Sequence, residues 1–149
     1  MSKFNIYRSG KRDSFLVSAA TITTSWLPGQ LASFSETDPN YVKLGGSETE
    51  PFGFLVDGPT ELSAFPTGSK VTVVYGAGGK YGISHATEVA ASSATRAYES
   101  DIESATPNEL LYSSQNGKLT TTSSGSTVGI LQQVPASVNN YEVIFISRI

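Results

Sequence analysis

The apolar positions of this chain come in short runs that alternate with polar ones. In 141-YEVIFISRI-149, Tyr141, Val143 and Phe145 fall on one side and Glu142, Ile144, Ile146 and Arg148 on the other. Both sides are apolar in the middle, which predicts a central strand covered on both faces. In 70-KVTVVY-75, Val71, Val73 and Tyr75 share a face and Thr72 and Val74 share the other. Similar runs predict strands over 14–26, 29–34, 41–44, 52–57, 109–114, 117–122 and 127–134. Turn signals separate them: Pro28-Gly29, Asp38-Pro39-Asn40, Gly45-Gly46, Asp57-Gly58-Pro59, Asn116-Gly117 and Asn139-Asn140. Asn116-Gly117 is the pair favoured by a type I′ hairpin turn. Helical periodicity is almost absent. One helical turn is expected at 59–65, where Thr60 can cap it, and 86–104 reads as a long loop with a short helix. The pattern predicts an all-β fold: a small β-barrel or sandwich-like domain of short antiparallel strands, with at most one or two short helices.

The pattern also echoes itself. The stretch 29-GQLASF-34 with 41-YVKLGGSETEPFGFLV-56 resembles 108-NELLYSSQNGKLTTTSSGSTVGILQQV-134. Lys43-Leu44 aligns with Lys118-Leu119, and Phe52-Gly53-Phe54-Leu55 with Val128-Gly129-Ile130-Leu131. The expectation is a structural repeat, with Gly53 and Gly129 marking bulges or sharp bends inside strands.

Composition adds a size and a charge split. At 149 residues the chain suits one domain with its own core. It has no cysteine, so its stability comes from packing or assembly. The net charge is −3, yet Lys3, Arg8, Lys11 and Arg12 place +4 in the first twelve residues. The remaining six basic and thirteen acidic side chains leave the rest at −7. This predicts an extended basic N-terminal arm, 1–15, that docks on an acidic surface, ahead of a single β domain, 16–149, with 86–107 as an insertion. An acidic body repels phosphates, so direct nucleic-acid binding is not expected. No apolar run approaches the roughly 20 residues of a membrane helix, and the N-terminus lacks a signal peptide's apolar stretch, so the expectation is a soluble protein made in a cytosol, with no membrane partner.

The one stretch that suggests chemistry is 71-VTVVYGAGGKYGISH-85, with four glycines and the only histidine. A Walker loop needs Ser or Thr after Gly-Lys, and Gly79-Lys80 is followed by Tyr81. The dinucleotide pattern fails at the same tyrosine. Strand-forming residues on both sides make the stretch a glycine-rich hairpin. His85 has no second histidine, no cysteine and no Gly-x-Ser-x-Gly elbow to work with. The acid pairs Glu48/Glu50 and Asp101/Glu103 lie in loops. No catalytic residue, cofactor or metal is assigned, and the chain is read as a non-enzyme. The tip residues Gly78, Gly79, Lys80 and Tyr81 form a candidate contact loop, on which Tyr81→Ala leaves the fold nearly intact.

Several segments in order, 26-WLPGQLASF-34, 41-YVKLGGSETEPFGFLVD-57, 66-PTGSKVTVVYGAGGKYGI-83, 108–134 and 142-EVIFISRI-149, resemble the capsid decoration, or cement, proteins of tailed bacteriophages. The resemblance leaves 86–107 without a counterpart. It implies a structural virion protein, made in the host cytoplasm, that binds the outer capsid surface and bridges major capsid protein subunits, often as a homotrimer. In that setting Lys3, Phe4, Tyr7, Arg8, Lys11 and Arg12 are the candidate capsid contacts of the arm. The competing expectation is a carbohydrate- or receptor-binding β-module of a phage tail or bacterial surface, with Trp26, Tyr75 and Tyr81 as its stacking platform.

Overall fold

The computed structural model describes residues 2–17, 26–36, 41–46, 50–56, 69–85, 96–134 and 142–149. The fold is all-β. Its strands are β1 (Ser2–Arg8), β2 (Lys11–Val17), β3 (Leu31–Phe34), β4 (Tyr41–Leu44), β5 (Gly53–Leu55), β6 (Ser69–Tyr75), β7 (Lys80–His85), β8 (Leu110–Ser113), β9 (Leu119–Thr120), β10 (Gly129–Gln133) and β11 (Glu142–Ser147). A short 3-10 turn covers Ser100–Ser104. The helical turn expected at 59–65 lies outside the described residues, as do 86–95 of the expected insertion.

Strands β2-β4-β3-β5-β6 form a closed barrel, and β1-β7-β11-β10-β8-β9 form a six-stranded sheet. The expected repeat is present, and it is larger than the sequence echo. Each half has a central strand flanked by its hairpin partner and by the next strand: β4-β3-β5 in one, β9-β8-β10 in the other. The hydrogen bonds coincide residue for residue. Gly29 N donates to Leu55 O at 2.7 Å, and Asn108 N to Leu131 O at 2.7 Å. Phe52 N donates to Ala32 O at 2.9 Å, and Val128 N to Leu111 O at 2.8 Å. The pairing continues outward: β5 meets β6 and then β2, while β10 meets β11 and then β7.

Both halves begin with one kind of turn. Leu27-Pro28-Gly29-Gln30 and Thr106-Pro107-Asn108-Glu109 place proline second and a positive φ third, +93° at Gly29 and +77° at Asn108. This is type II turn chemistry. In each, the fourth side chain reaches back: Leu27 N donates to Gln30 Oε1 and Thr106 N to Glu109 Oε2, both at 2.5 Å.

Three expectations are corrected. Lys118 is the counterpart of Tyr41, not of Lys43: Ser35 N bonds Tyr41 O and Ser114 N bonds Lys118 O, each at 2.8 Å. A slip of two residues keeps each side chain on its face, which is why the apolar pattern did not reveal it. Asn116-Gly117 is not type I′, since Gly117 alone has a positive φ there. The loop is Gln115–Asn116–Gly117, closed by the bond from Gly117 N to Ser114 O at 3.0 Å. Gly53 and Gly129 carry no register shift; the irregularity falls between Leu131 and Gln133. A Cβ at Gly53 would lie 2.6 Å from Val73 Cγ1, and one at Gly129 would lie 2.9 Å from Ile146 O, so glycine is there for close approach.

The interiors match in position while exchanging bulk. Val17, Trp26, Ala32, Val42, Leu55, Val71 and Val73 form the buried cluster of the barrel. Their counterparts include Leu111, Leu119, Leu131, Val143 and Phe145. Trp26 fills the barrel where the second half has Ala105, and Leu111 and Phe145 add volume where the barrel has Ala32 and Val73. In the second half Tyr98 bridges Leu119 in parallel, the place that Val17 takes beside Val42. Tyr98 and residues 105–107, without a counterpart in the family-like pattern, thus have one among the described residues of this chain.

The halves are joined through one lateral row, Leu31–Phe54–Val74, on the outside of the barrel. All three residues are fully buried, in the cluster of the second half. Phe54 lies 5.0 Å from Phe145 and 5.7 Å from Tyr81 between ring centroids. The tip of the β8–β9 hairpin adds polar pins: Leu31 N donates to Gly117 O at 2.7 Å and Gln30 Nε2 to Asn116 O at 2.8 Å. Truncating a buried phenylalanine at such a joint costs about 3–5 kcal/mol. Phe54→Ala is expected to lower the urea midpoint of both halves together; two separated transitions would show that the halves are not coupled through this row.

Candidate interaction surface

The N-terminal strands and the glycine-rich hairpin, expected as an arm and a loop, are neighbours. β1 pairs antiparallel with β7, with Arg8 opposite Lys80 and Phe4 opposite Ile83. β2 pairs with β6, with Lys11 opposite Tyr75. The first residues are extended, as expected, and their backbone is engaged by strands of the same chain. The expected boundary at residue 15 falls inside β2.

The candidate residues divide by burial. Lys3, Tyr7, Arg8, Lys11 and Arg12 are exposed, Tyr7 by 53%. Arg8 Nε donates to Gly78 O at 2.8 Å, and the Lys80 ammonium sits 5.8 Å from the Tyr7 ring centre. A basic–aromatic surface therefore forms around Tyr7, Arg8, Gly78 and Lys80, with Lys11 and Arg12 on the adjoining strand. Its charge stands against an acidic remainder, so it can attract an acidic partner and steer its approach.

Phe4, Gly79 and Tyr81 are corrections. Phe4 is half-buried, stacked 5.3 Å from Tyr81 and 6.3 Å from Phe54. Tyr81 is fully buried, and its ring lies under Gly79, where a Cβ would stand 2.3 Å from the hydroxyl. Gly10 N donates to that hydroxyl at 3.3 Å, and burial is the main cause that raises the phenol pKa. Alternation along β7 places Tyr81 and Ile83 inward, and a strand cannot present Tyr81 at a loop tip while Ile83 stays in the core. Trp26 is also buried, so two of the three aromatics proposed as a stacking platform belong to the core.

Beside the basic surface lies a polar contact. Glu142 accepts from Asn5 Nδ2 at 2.5 Å and from the Tyr7 hydroxyl. Gly82 makes room for both: a Cβ there would lie 2.8 Å from the Glu142 carboxyl and 3.0 Å from the Tyr7 ring. The hydrogen bond to Glu142 pushes the Tyr7 phenol up to about 12, helped by burial and by the carboxylate's charge.

Two further features were not anticipated. Phe15, Phe34, Phe52 and Tyr75 gather at one mouth of the barrel. Phe34 is 51% exposed and stacks on Phe52 at 4.1 Å and 5°, and Phe15 lies 5.2 Å from Phe52. The available signal was the repeat, which puts Ser113 and Val128 where this half has Phe34 and Phe52. The second is an open hollow of about 410 Å³ lined in part by Glu99, Asp101, Ser114, Thr120 and Thr122. Ser114 Oγ donates to Glu99 at 2.7 Å and Thr122 Oγ1 to Asp101 at 3.0 Å. Asp101 and Glu103 are not a facing acid pair, because Glu103 binds Arg96 while Asp101 turns to Thr120 and Thr122. Among the described residues no group of three or more His, Cys, Asp or Glu gathers as a metal site.

No protein-family model and no curated protein sequence matches this chain.

Two outcomes check this surface. Tyr81→Ala is expected to cost about 3–5 kcal/mol, the reverse of the expectation for a loop-tip residue, as read by denaturant unfolding. A folded-state phenol above the ordinary value of 10 stabilises the fold fully below pH 10 and loses that contribution as pH rises through about 12. Tyr7→Phe should therefore lower the melting temperature slightly at pH 8, and the gap to the unsubstituted protein should close between pH 10 and 12. The contact is exposed, and such contacts are worth at most about 1 kcal/mol.

Proposed function

We propose that this chain is a structural protein of a bacteriophage particle, which binds the outer face of the capsid and stabilises it by bridging major capsid protein subunits. The family-like order of its segments motivates the reading. The observation that carries it is exposed Arg8 opposite half-buried Lys80, with exposed Lys11 and Arg12 at the start of the next strand, on a chain whose remainder is acidic. A cement protein needs a charged, rigid contact surface, because ordering a loose arm on binding costs affinity. Here the basic side chains are held on paired strands. A homotrimer would multiply a modest contact: three linked sites give avidity well beyond one, with interfaces of about 800 Å² or less per partner.

Removing residues 1–15 would delete β1 and most of β2, so charge reversal is the cleaner experiment. The combined variant Arg8→Glu, Lys11→Glu and Arg12→Glu is expected to lose at least about tenfold in binding to expanded, undecorated capsids by co-sedimentation, and binding by the unsubstituted protein should weaken with salt. Surface substitutions of this kind shift stability by only about 0.5 kcal/mol each, so the fold survives. Undiminished decoration by the triple variant would refute the proposal, and so would selective glycan binding by a protein with no affinity for capsids.

A further inference from the structure

The repeat makes the two halves comparable edge by edge, and one edge differs. β7 has β11 on one side and β1 on the other, with β1 running along the whole of Lys80–His85. Its counterpart β2 has β6 on one side, but on the other only Leu16 and Val17 are paired, in parallel with Tyr41 and Val42 of β4. Among the described residues no strand lies against Lys11–Phe15 on that side. An unpaired edge offers a row of backbone donors and acceptors to another strand.

The side chains repeat the difference. In the second half β1 brings Phe4 opposite Ile83, where its ring stacks on Tyr81 and reaches Phe54. The residue equivalent to Ile83 is Phe15, because Val143 opposes Ile83 as Val71 opposes Phe15. Phe15 belongs to the aromatic mouth, and Phe34 stands half in solvent beside it, 5.8 Å away. Directly opposed residues of paired strands share a face. A strand added at β2 in the register of β1 would thus lay one side chain onto Phe15 and Phe34.

We propose that the β2 edge at Lys11–Phe15, with the Phe34–Phe52 mouth, is a docking site for an extended strand of a different protein. A second copy of this chain does not fit. Among the described residues one such strand, β1, stands against two equivalent edges, and a copy lending its β1 would bare its own β7. The chemistry of the strand follows from the residues it faces: an aromatic or large aliphatic residue opposite Phe15, a basic or hydroxyl residue two positions on, opposite Asp13, and an acid opposite Arg12. This is strand addition, in which the backbone supplies affinity and alternate pockets supply selectivity. It goes beyond the capsid reading and does not depend on it.

The probe is a capped peptide copying residues 4–8 with Ile6→Lys and Arg8→Glu, titrated into the full chain. The lysine suits Asp13 at the β2 edge and is excluded from the β7 edge, where that position faces buried Tyr81. Saturable amide shifts centred on Lys11–Phe15 and Phe34, with slowed exchange at Lys11–Phe15, are expected, at about millimolar affinity. Phe4→Asp in the peptide, or Phe34→Ser in the protein, should each weaken binding at least about tenfold. No shift at several millimolar peptide, shifts centred on Tyr81–Ser84, or binding indifferent to both substitutions would overturn the proposal.

Discussion

The burial of Leu31, Phe54 and Val74 between the two halves is the constraint on which the molecule depends. These residues point out of a closed barrel, so by themselves they would leave an apolar stripe in water. The six-stranded sheet answers that stripe with Phe4, Tyr81 and Phe145. The sheet in turn needs it, because the barrel wall forms part of its own core. The barrel has its own interior but leaves this row bare without the sheet, the sheet's core is incomplete without the row, and a chain without cysteine has no covalent substitute.

One plan executed twice yields two shapes because bulk is allocated differently. In the first half, Trp26 lets a small barrel close around Ala32 and the valines. In the second, Leu111 and Phe145 occupy the same sites, Ala105 stands in place of the tryptophan, and the wall stays open toward its neighbour. The equivalent outer row, Leu110–Ile130–Ile146, shows what the joint changes: Leu31 is fully buried, while its counterpart Leu110 is 38% exposed.

Much of this was legible beforehand. Strand alternation in 70–75 and 142–147 put Val71 with Val73, and Val143 with Phe145, on shared faces, since a two-residue period is a local property; which face turns inward was not in it. The repeat was visible where glycine and apolar spacing were both kept, at Phe52–Leu55 and Val128–Leu131. It was invisible across β2 and β7, whose sequences KRDSFLV and KYGISH share only a hydrogen-bonding role. The N-terminal strand was read as a free arm because its charges are local and its partner lies some eighty residues away. Tyr81 was misplaced for the same reason: a glycine run marks a turn, but only the pairing of β7 decides which side of the strand faces the core. The aromatic mouth is built from four separate strands or loops, and no window of sequence contains it.

The pairing of β1 also sets an order in time. The barrel uses residues 11–75 and can close once that stretch has been made. β1 is synthesised before any of it, yet its partner β7 gains its own second neighbour only from β11, at 142–147. The earliest-made of these strands is thus among the last to be locked in place. Until then, Phe4 and Ile6 must wait beside a finished barrel whose Leu31–Phe54–Val74 row is still bare.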